Sequence, residues 1–157
     1  MAEKFEISDG NKEDKYNLLY RQAKMLAENE PDFIALLANL ASIIHFTFGF
    51  FWTGFYRVCG SELVLGPFQG PLACSRIPYG KGVCGSAWKE EKTIIVENVD
   101  KFPGHIACSN ESKSEIVVPF KINGRIAGVL DIDSNVLSTF DETDKKWLEK
   151  ILTLINL

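Results

Sequence analysis

Glu115-Ile116-Val117-Val118-Pro119-Phe120-Lys121-Ile122-Asn123-Gly124-Arg125-Ile126-Ala127-Gly128-Val129-Leu130-Asp131-Ile132-Asp133 is the stretch that decides the fold. Two β-prone runs flank Asn123-Gly124, the strongest short signal for a two-residue hairpin turn, so the segment predicts an antiparallel hairpin over 115–122 and 125–133. Folding strictly about the turn sets Glu115 opposite Ile132 and its neighbours. Asp131 and Asp133, two residues apart on one strand, share a face. Three carboxylates therefore crowd one end of a sheet. Like charges so placed persist only if solvated, or if a cation or protons neutralise them. The apolar residues around Asp131 and Asp133 argue against a wet sheet edge.

Outward from this hairpin, Phe50–Val58 is aromatic and β-prone, Cys59-Gly60-Ser61-Glu62 turns, and Leu63-Val64-Leu65 returns, which predicts a second hairpin. Thr93-Ile94-Ile95-Val96 is a short strand. Tyr16, Leu18, Leu19, Met25 and Leu26 recur at helical spacing through about Glu28, and Phe33, Leu36, Leu37, Leu40, Ile43 and Ile44 share one face after Pro31-Asp32. A last helix begins near Asp141 as cap, with Trp147, Leu148, Ile151, Leu152 and Ile155 on one side. Helices, then hairpins, then a helix describe an α+β domain with an antiparallel sheet flanked by helices, rather than alternating βαβ units. At 157 residues the chain reads as a single domain, residues 1–157, with a flexible lead-in over 1–11.

Lys+Arg 17 against Asp+Glu 21 gives a net charge of -4 with no basic cluster, which leaves nucleic acid and anionic membranes without an electrostatic footing. The N-terminus lacks a charged region followed by an apolar run, and no apolar stretch approaches a membrane span. The expected location is the cytoplasm. There the four cysteines are reduced at rest, and a disulfide among them is transient and catalytic.

Two segments outside the frame, 66–92 and 98–114, are rich in Gly, Pro, Ser, Asn and Lys and carry Cys74, Cys84 and Cys108 in open, small-residue contexts. Zinc sites place ligands two to four residues apart, whereas the nearest cysteines here are ten apart, so no metal is expected. Cys59, at a strand end beside a turn, fits a small packing residue. A free thiol near pKa 8.5 needs local positive potential to act as a nucleophile. Cys108 has His105 and Lys113 nearby, and Cys84 follows Gly80-Lys81-Gly82 at the start of a short helix to Glu90, where the helix end favours a thiolate. The glycines there are a weak phosphate-loop signal, since no strand leads into them. Trp52 and Tyr56, four apart on a strand, share a face and suit core packing or a wall against a methyl-bearing or cationic ligand.

Taken in order, Gly66-Pro67-Phe68-Gln69-Gly70-x-x-Ala73-Cys74, Gly80-Lys81-Gly82-Val83-Cys84-Gly85, Gly104-His105-Ile106-Ala107-Cys108, Ser112-Lys113-Ser114-Glu115-Ile116-Val117 and Gly128-Val129-Leu130-Asp131-Ile132-Asp133-Ser134 closely resemble the free methionine-(R)-sulfoxide reductases, stand-alone GAF domains. The resemblance spans Trp52 to Trp147 and implies a six-stranded antiparallel sheet with a pocket closed by the cysteine loops. It implies Cys108 as nucleophile, Cys74 as the resolving cysteine that bridges to it, and Cys84 as a third pocket cysteine. Trp52 and Tyr56 would wall the substrate, and Glu115, Asp131 and Asp133 would hold its ammonium group and sulfoxide oxygen. No cofactor is implied; a thioredoxin-type reductant is, and a homodimer is compatible. A regulatory ligand-binding GAF module is the main rival. It fits less well, because Phe140-Asp141-Glu142-Thr143-Asp144-Lys145 lacks an acidic residue after Asp144 and the chain leaves no room for an output domain. A disulfide redox sensor would use the same cysteines without needing the carboxylates.

Overall fold

The computed structural model describes residues 4–156. Helix α1 spans Lys12–Asn29, α2 Phe33–Phe48, α3 Gly82–Glu90 and α4 Glu142–Leu152. Strands β1 (Trp52–Cys59), β2 (Glu62–Gln69), β3 (Arg76–Pro78), β4 (Ile94–Val96), β5 (Ser114–Ile122) and β6 (Arg125–Ser134) form one antiparallel sheet in the order β3-β2-β1-β6-β5-β4. The α+β arrangement expected from the sequence, a six-stranded antiparallel sheet flanked by helices, is the one observed.

Local chemistry sets the helix starts. Asn11 and Asp141 each build a capping box with the aspartate three residues on, and the Asp32 side chain accepts from the Ala35 N–H. Helix α2 stops where Gly49 turns left-handed, at φ 66. Helix α4 ends at Leu152, so Ile155 reaches the core from the turn that follows rather than from the helix face.

Strand alternation divides the sheet into two faces. Phe55, Ile116, Val118, Leu130 and Ile132 point back into a core shared with α1, α2 and α4. Tyr16 of α1 donates from its hydroxyl to Asp144 of α4 at 2.6 Å, and Lys12 reaches the same carboxylate at 2.8 Å, so a buried charge is paired where the two helices meet. Of the lead-in, residues 1–3 lie outside the described residues; Phe5 rests against this core, and the Gln22 side-chain amide bonds both the N–H and the C=O of Glu6. Trp52, Tyr56, Val117 and Val129 point the other way, beneath α3 and the cysteine loops.

Two irregularities correct the expected registers. In the β5–β6 hairpin Ile122 pairs with Arg125 and Lys121 with Ile126, but Phe120 pairs with Gly128, leaving Ala127 as an extra residue on β6. From there each pair moves by one, so Glu115 lies opposite Asp133 and not Ile132. A shift of one residue exchanges the faces of a strand. The bulge thus turns Glu115 onto the same face as Asp131 and Asp133. Close packing accompanies it: a Cβ on Gly128 would sit 2.3 Å from the Tyr56 carbonyl oxygen and 2.8 Å from the Phe120 ring. The second irregularity lies in β2, which continues past Leu65 to Gln69 because Gly66 and Pro67 are accommodated in a bulge against β1, between the pairs Tyr56–Leu65 and Gly54–Phe68. The rest of that segment contains β3, which was expected to be irregular, and α3, the short helix expected to run to Glu90.

Candidate active site

The forward face of the sheet offers a floor, and two loops overhang it. Strand β1 contributes Trp52 and Tyr56, β5 contributes Glu115, and β6 contributes Asp131 and Asp133. Cys84 comes from the first turn of α3. Helix α3 can lie this close because Gly85 abuts the Pro78 carbonyl, where a Cβ would fall 2.6 Å away. The loop after β2 carries Cys74 and the loop before β5 carries Cys108.

A disulfide joins Cys74 to Cys108, with Cα atoms 5.4 Å apart. Both aromatic residues of β1 hold the Cys74 loop by its backbone: the Trp52 indole N–H donates to the Pro71 carbonyl at 3.0 Å, and the Tyr56 hydroxyl donates to the Cys74 carbonyl at 2.8 Å. Burial, and then Asp131, push the Tyr56 phenol up, which keeps it a donor. Trp52 is sandwiched between Tyr56 and Phe68, with ring centroids 6.0 and 5.4 Å apart. These two residues therefore do more than wall a pocket. Cys59 lies exposed at the far end of β1, outside the lining of the cavity.

Cys84 departs from expectation. The start of α3 was expected to favour its thiolate, yet the side chain is fully enclosed, and burial followed by the charges of Asp131 and Glu115 pushes the thiol well up. It is a protonated thiol under the carboxylates. His105 departs too: burial lowers its pKa, so it is a neutral imidazole rather than a standing cation for Cys108. Its Nε2 lies 3.6 Å from Glu115 Oε2.

Glu115 and Asp131 are 5% and 6% exposed. Burial, reinforced by Asp133, raises Glu115 to about 8; burial, reinforced by Glu115, raises Asp131 well above the carboxylate range. A Glu115 carboxyl oxygen and an Asp131 carboxyl oxygen lie within 4.8 Å of each other and of the Cys84 sulfur, and Asp131 Oδ1 is sealed off with no hydrogen-bond partner. At neutral pH they cannot both be charged, and a shared proton satisfies both. Asp133 is less enclosed and is also raised, by burial and by Asp131, while a 2.8 Å hydrogen bond from the Ser112 hydroxyl opposes the shift. Cys84, Glu115 and Asp131 bring potential metal-ligand atoms within 4.8 Å of one another, although the proton already neutralises the charge there. Ser112 opens one of the motifs quoted from the sequence, but no role was read for it there, since its partner lies twenty-one residues away.

The GAF domain family pattern matches residues 28–157. GAF domain-containing protein A of Dictyostelium discoideum is 55% identical, over 99% of both chains. Free methionine-R-sulfoxide reductase of Saccharomyces cerevisiae is 44% identical over 95% of this chain and 88% of its own. This chain belongs to the free methionine-(R)-sulfoxide reductase family of GAF domains. The crystal structure of a free methionine-R-sulfoxide reductase from Neisseria meningitidis, in complex with its substrate, superposes with a TM-score of 0.95 at 47% identity, covering 97% of this chain and 92% of that one.

In this reductase-family fold, Trp52, Tyr56, Cys84, Cys108, Glu115, Asp131 and Asp133 line one cavity, and Cys74 backs it through the disulfide. With the disulfide closed, the cavity measures about 50 Å³. At roughly 10–15 Å³ for each water, that holds a few waters.

Proposed function

We propose that this protein reduces free L-methionine-(R)-sulfoxide to methionine. The observation that carries the reading is a disulfide suspended over a buried carboxyl pair that retains a proton at neutral pH. A sulfoxide sulfur becomes electrophilic when its oxygen is protonated or hydrogen-bonded, so the reaction needs a thiolate on one side and an acid on the other. Cys108 is the nucleophile. Its sulfur attacks the sulfoxide sulfur while Glu115, backed by Asp131, gives its proton to the oxygen. The oxygen passes to Cys108 as a sulfenic acid and methionine leaves. The Cys74 thiol then condenses with the sulfenic acid, releasing water and forming the disulfide, which a thioredoxin-type dithiol reduces.

Asp133, the least enclosed carboxylate, suits the substrate ammonium, and Trp52 and Tyr56 suit its S-methyl end. Carboxylates committed to a free ammonium and an overhang on both sides disfavour a polypeptide. Only the R epimer then directs oxygen to Glu115 and sulfur to Cys108. The closed cavity is too small for an amino acid, so substrate enters the reduced form. A redox sensor would need the disulfide alone, and the desolvation cost of two buried carboxyls would serve nothing. Thioredoxin-coupled NADPH oxidation tests the reading: oxidation should depend on added free methionine-(R)-sulfoxide, and equal rates with and without it would refute turnover.

A further inference from the structure

We infer that His105 is the positioning residue that returns a proton to the Glu115–Asp131 pair between turnovers. The inference rests on the reductase reading above. In each turnover Glu115 gives one proton to the sulfoxide oxygen, and Cys108 releases one to solvent when its thiol becomes the attacking thiolate. The sum is thiol plus sulfoxide giving sulfenic acid plus thioether, with no net proton, so the proton lost at Cys108 has to be matched by one regained at Glu115.

Each member of the carboxyl pair exposes little of its own surface, 5% and 6%, and the cavity it lines holds only a few waters. Cys84 beneath it is enclosed, and Ser112, which bonds Asp133, is 8% exposed. His105 is different. Its Nε2 lies 3.6 Å from Glu115 Oε2, and its side chain keeps 15% of its surface in solvent. An imidazole can accept a proton at one nitrogen and release one from the other. Burial holds this one neutral, which leaves a nitrogen lone pair free to accept.

Its placement is built into the loop. Gly104 turns left-handed at φ 74, the His105 N–H donates to the Phe102 carbonyl at 3.2 Å, and Ile106 presses against Gly82, where an added Cβ would lie 3.1 Å from the isoleucine side chain. The same loop carries Cys108 three residues on, so nucleophile and relay are positioned together.

The test separates the first turnover from the later ones in His105→Ala and His105→Gln. Reduced enzyme is mixed with excess substrate and no reductant to time the first methionine formed, then assayed in steady state with saturating dithiol, with and without added imidazole. Glu115 is already loaded before the first turnover, so both variants should match wild type there to within about 2-fold, while steady-state turnover falls about 10-fold or more. Imidazole should restore His105→Ala, which leaves space for it, and not His105→Gln. A first turnover slowed as much as the steady state, an unchanged steady state, or an Ala variant indifferent to imidazole would each overturn the relay. No methionine from the wild-type first turnover would overturn the reductase reading itself, and the relay with it.

Discussion

Replacing Tyr56 by Phe keeps the ring that walls the cavity and removes only the hydroxyl that donates to the Cys74 carbonyl at 2.8 Å. The substitution separates two tasks that Tyr56 performs at once. The ring, stacked on Trp52, stays in place, so attack by Cys108 on the sulfoxide should proceed at the wild-type rate. The loop bearing Cys74 loses one neutral hydrogen bond and retains the one from Trp52 to Pro71. A bond of this kind contributes about 0.5–1.5 kcal/mol net, which corresponds to a fall of about 2- to 13-fold in the fraction of time Cys74 is held against the sulfenic acid. Rapid-quench measurement follows both events: methionine released in the first turnover reports Cys108, and loss of free thiol reports the disulfide. The expected result is unchanged methionine release followed by disulfide formation slowed within that range. If methionine release slows by the same factor as thiol loss, the hydroxyl serves the substrate, and the loop-holding role assigned to Tyr56 is wrong.

Cys108→Ser should form no methionine, whereas Cys74→Ser should yield about one equivalent per enzyme and then stall with thioredoxin, as quantified by amino-acid analysis. Glu115 rises to about 8, so kcat should decline above about pH 8, and Glu115→Gln should lower kcat and erase that limb of the profile. Stability follows the same group with a sign opposite to that of an ordinary salt-bridged carboxylate. Because the folded pKa lies above the unfolded value of 4.5, the folded state binds the extra proton between about pH 4.5 and 8, and stability falls as pH rises through that window, by at most about 1.4 kcal/mol per unit for one proton. Denaturant titrations should show a shallower slope for Glu115→Gln, and an identical slope would mean Glu115 is not the group responsible. Asp133→Asn should raise KM for the free amino acid while largely keeping kcat; the reverse pattern would make Asp133 the acid. Gly128→Ala forces a Cβ toward the Tyr56 carbonyl and should cost about 1–3 kcal/mol by thermal unfolding, with lower activity as the bulge that orients Glu115 is disturbed.

Much of this protein is written in short stretches of its sequence. Asn123-Gly124 specifies a hairpin turn, Asn11, Asp32 and Asp141 start their helices, and the apolar face of α2 can be read at three- and four-residue steps, because each of these signals acts between residues close in the chain. The cysteine loops and the three carboxylates were likewise legible as motifs. Tertiary structure decided how they face one another. The extra residue at Ala127 turned Glu115 to the side of Asp131 and Asp133, a matter of strand parity that counting from the turn reverses. Enclosure by α3 and the two loops made Cys84 a protonated thiol, His105 a neutral imidazole and Glu115 a proton-bearing acid, since desolvation depends on every element packed around a group and not on its neighbours in sequence. The hold of the Tyr56 hydroxyl on the Cys74 loop and that of Ser112 on Asp133 belong to the same class: each joins residues that only the folded sheet brings within 3 Å of one another.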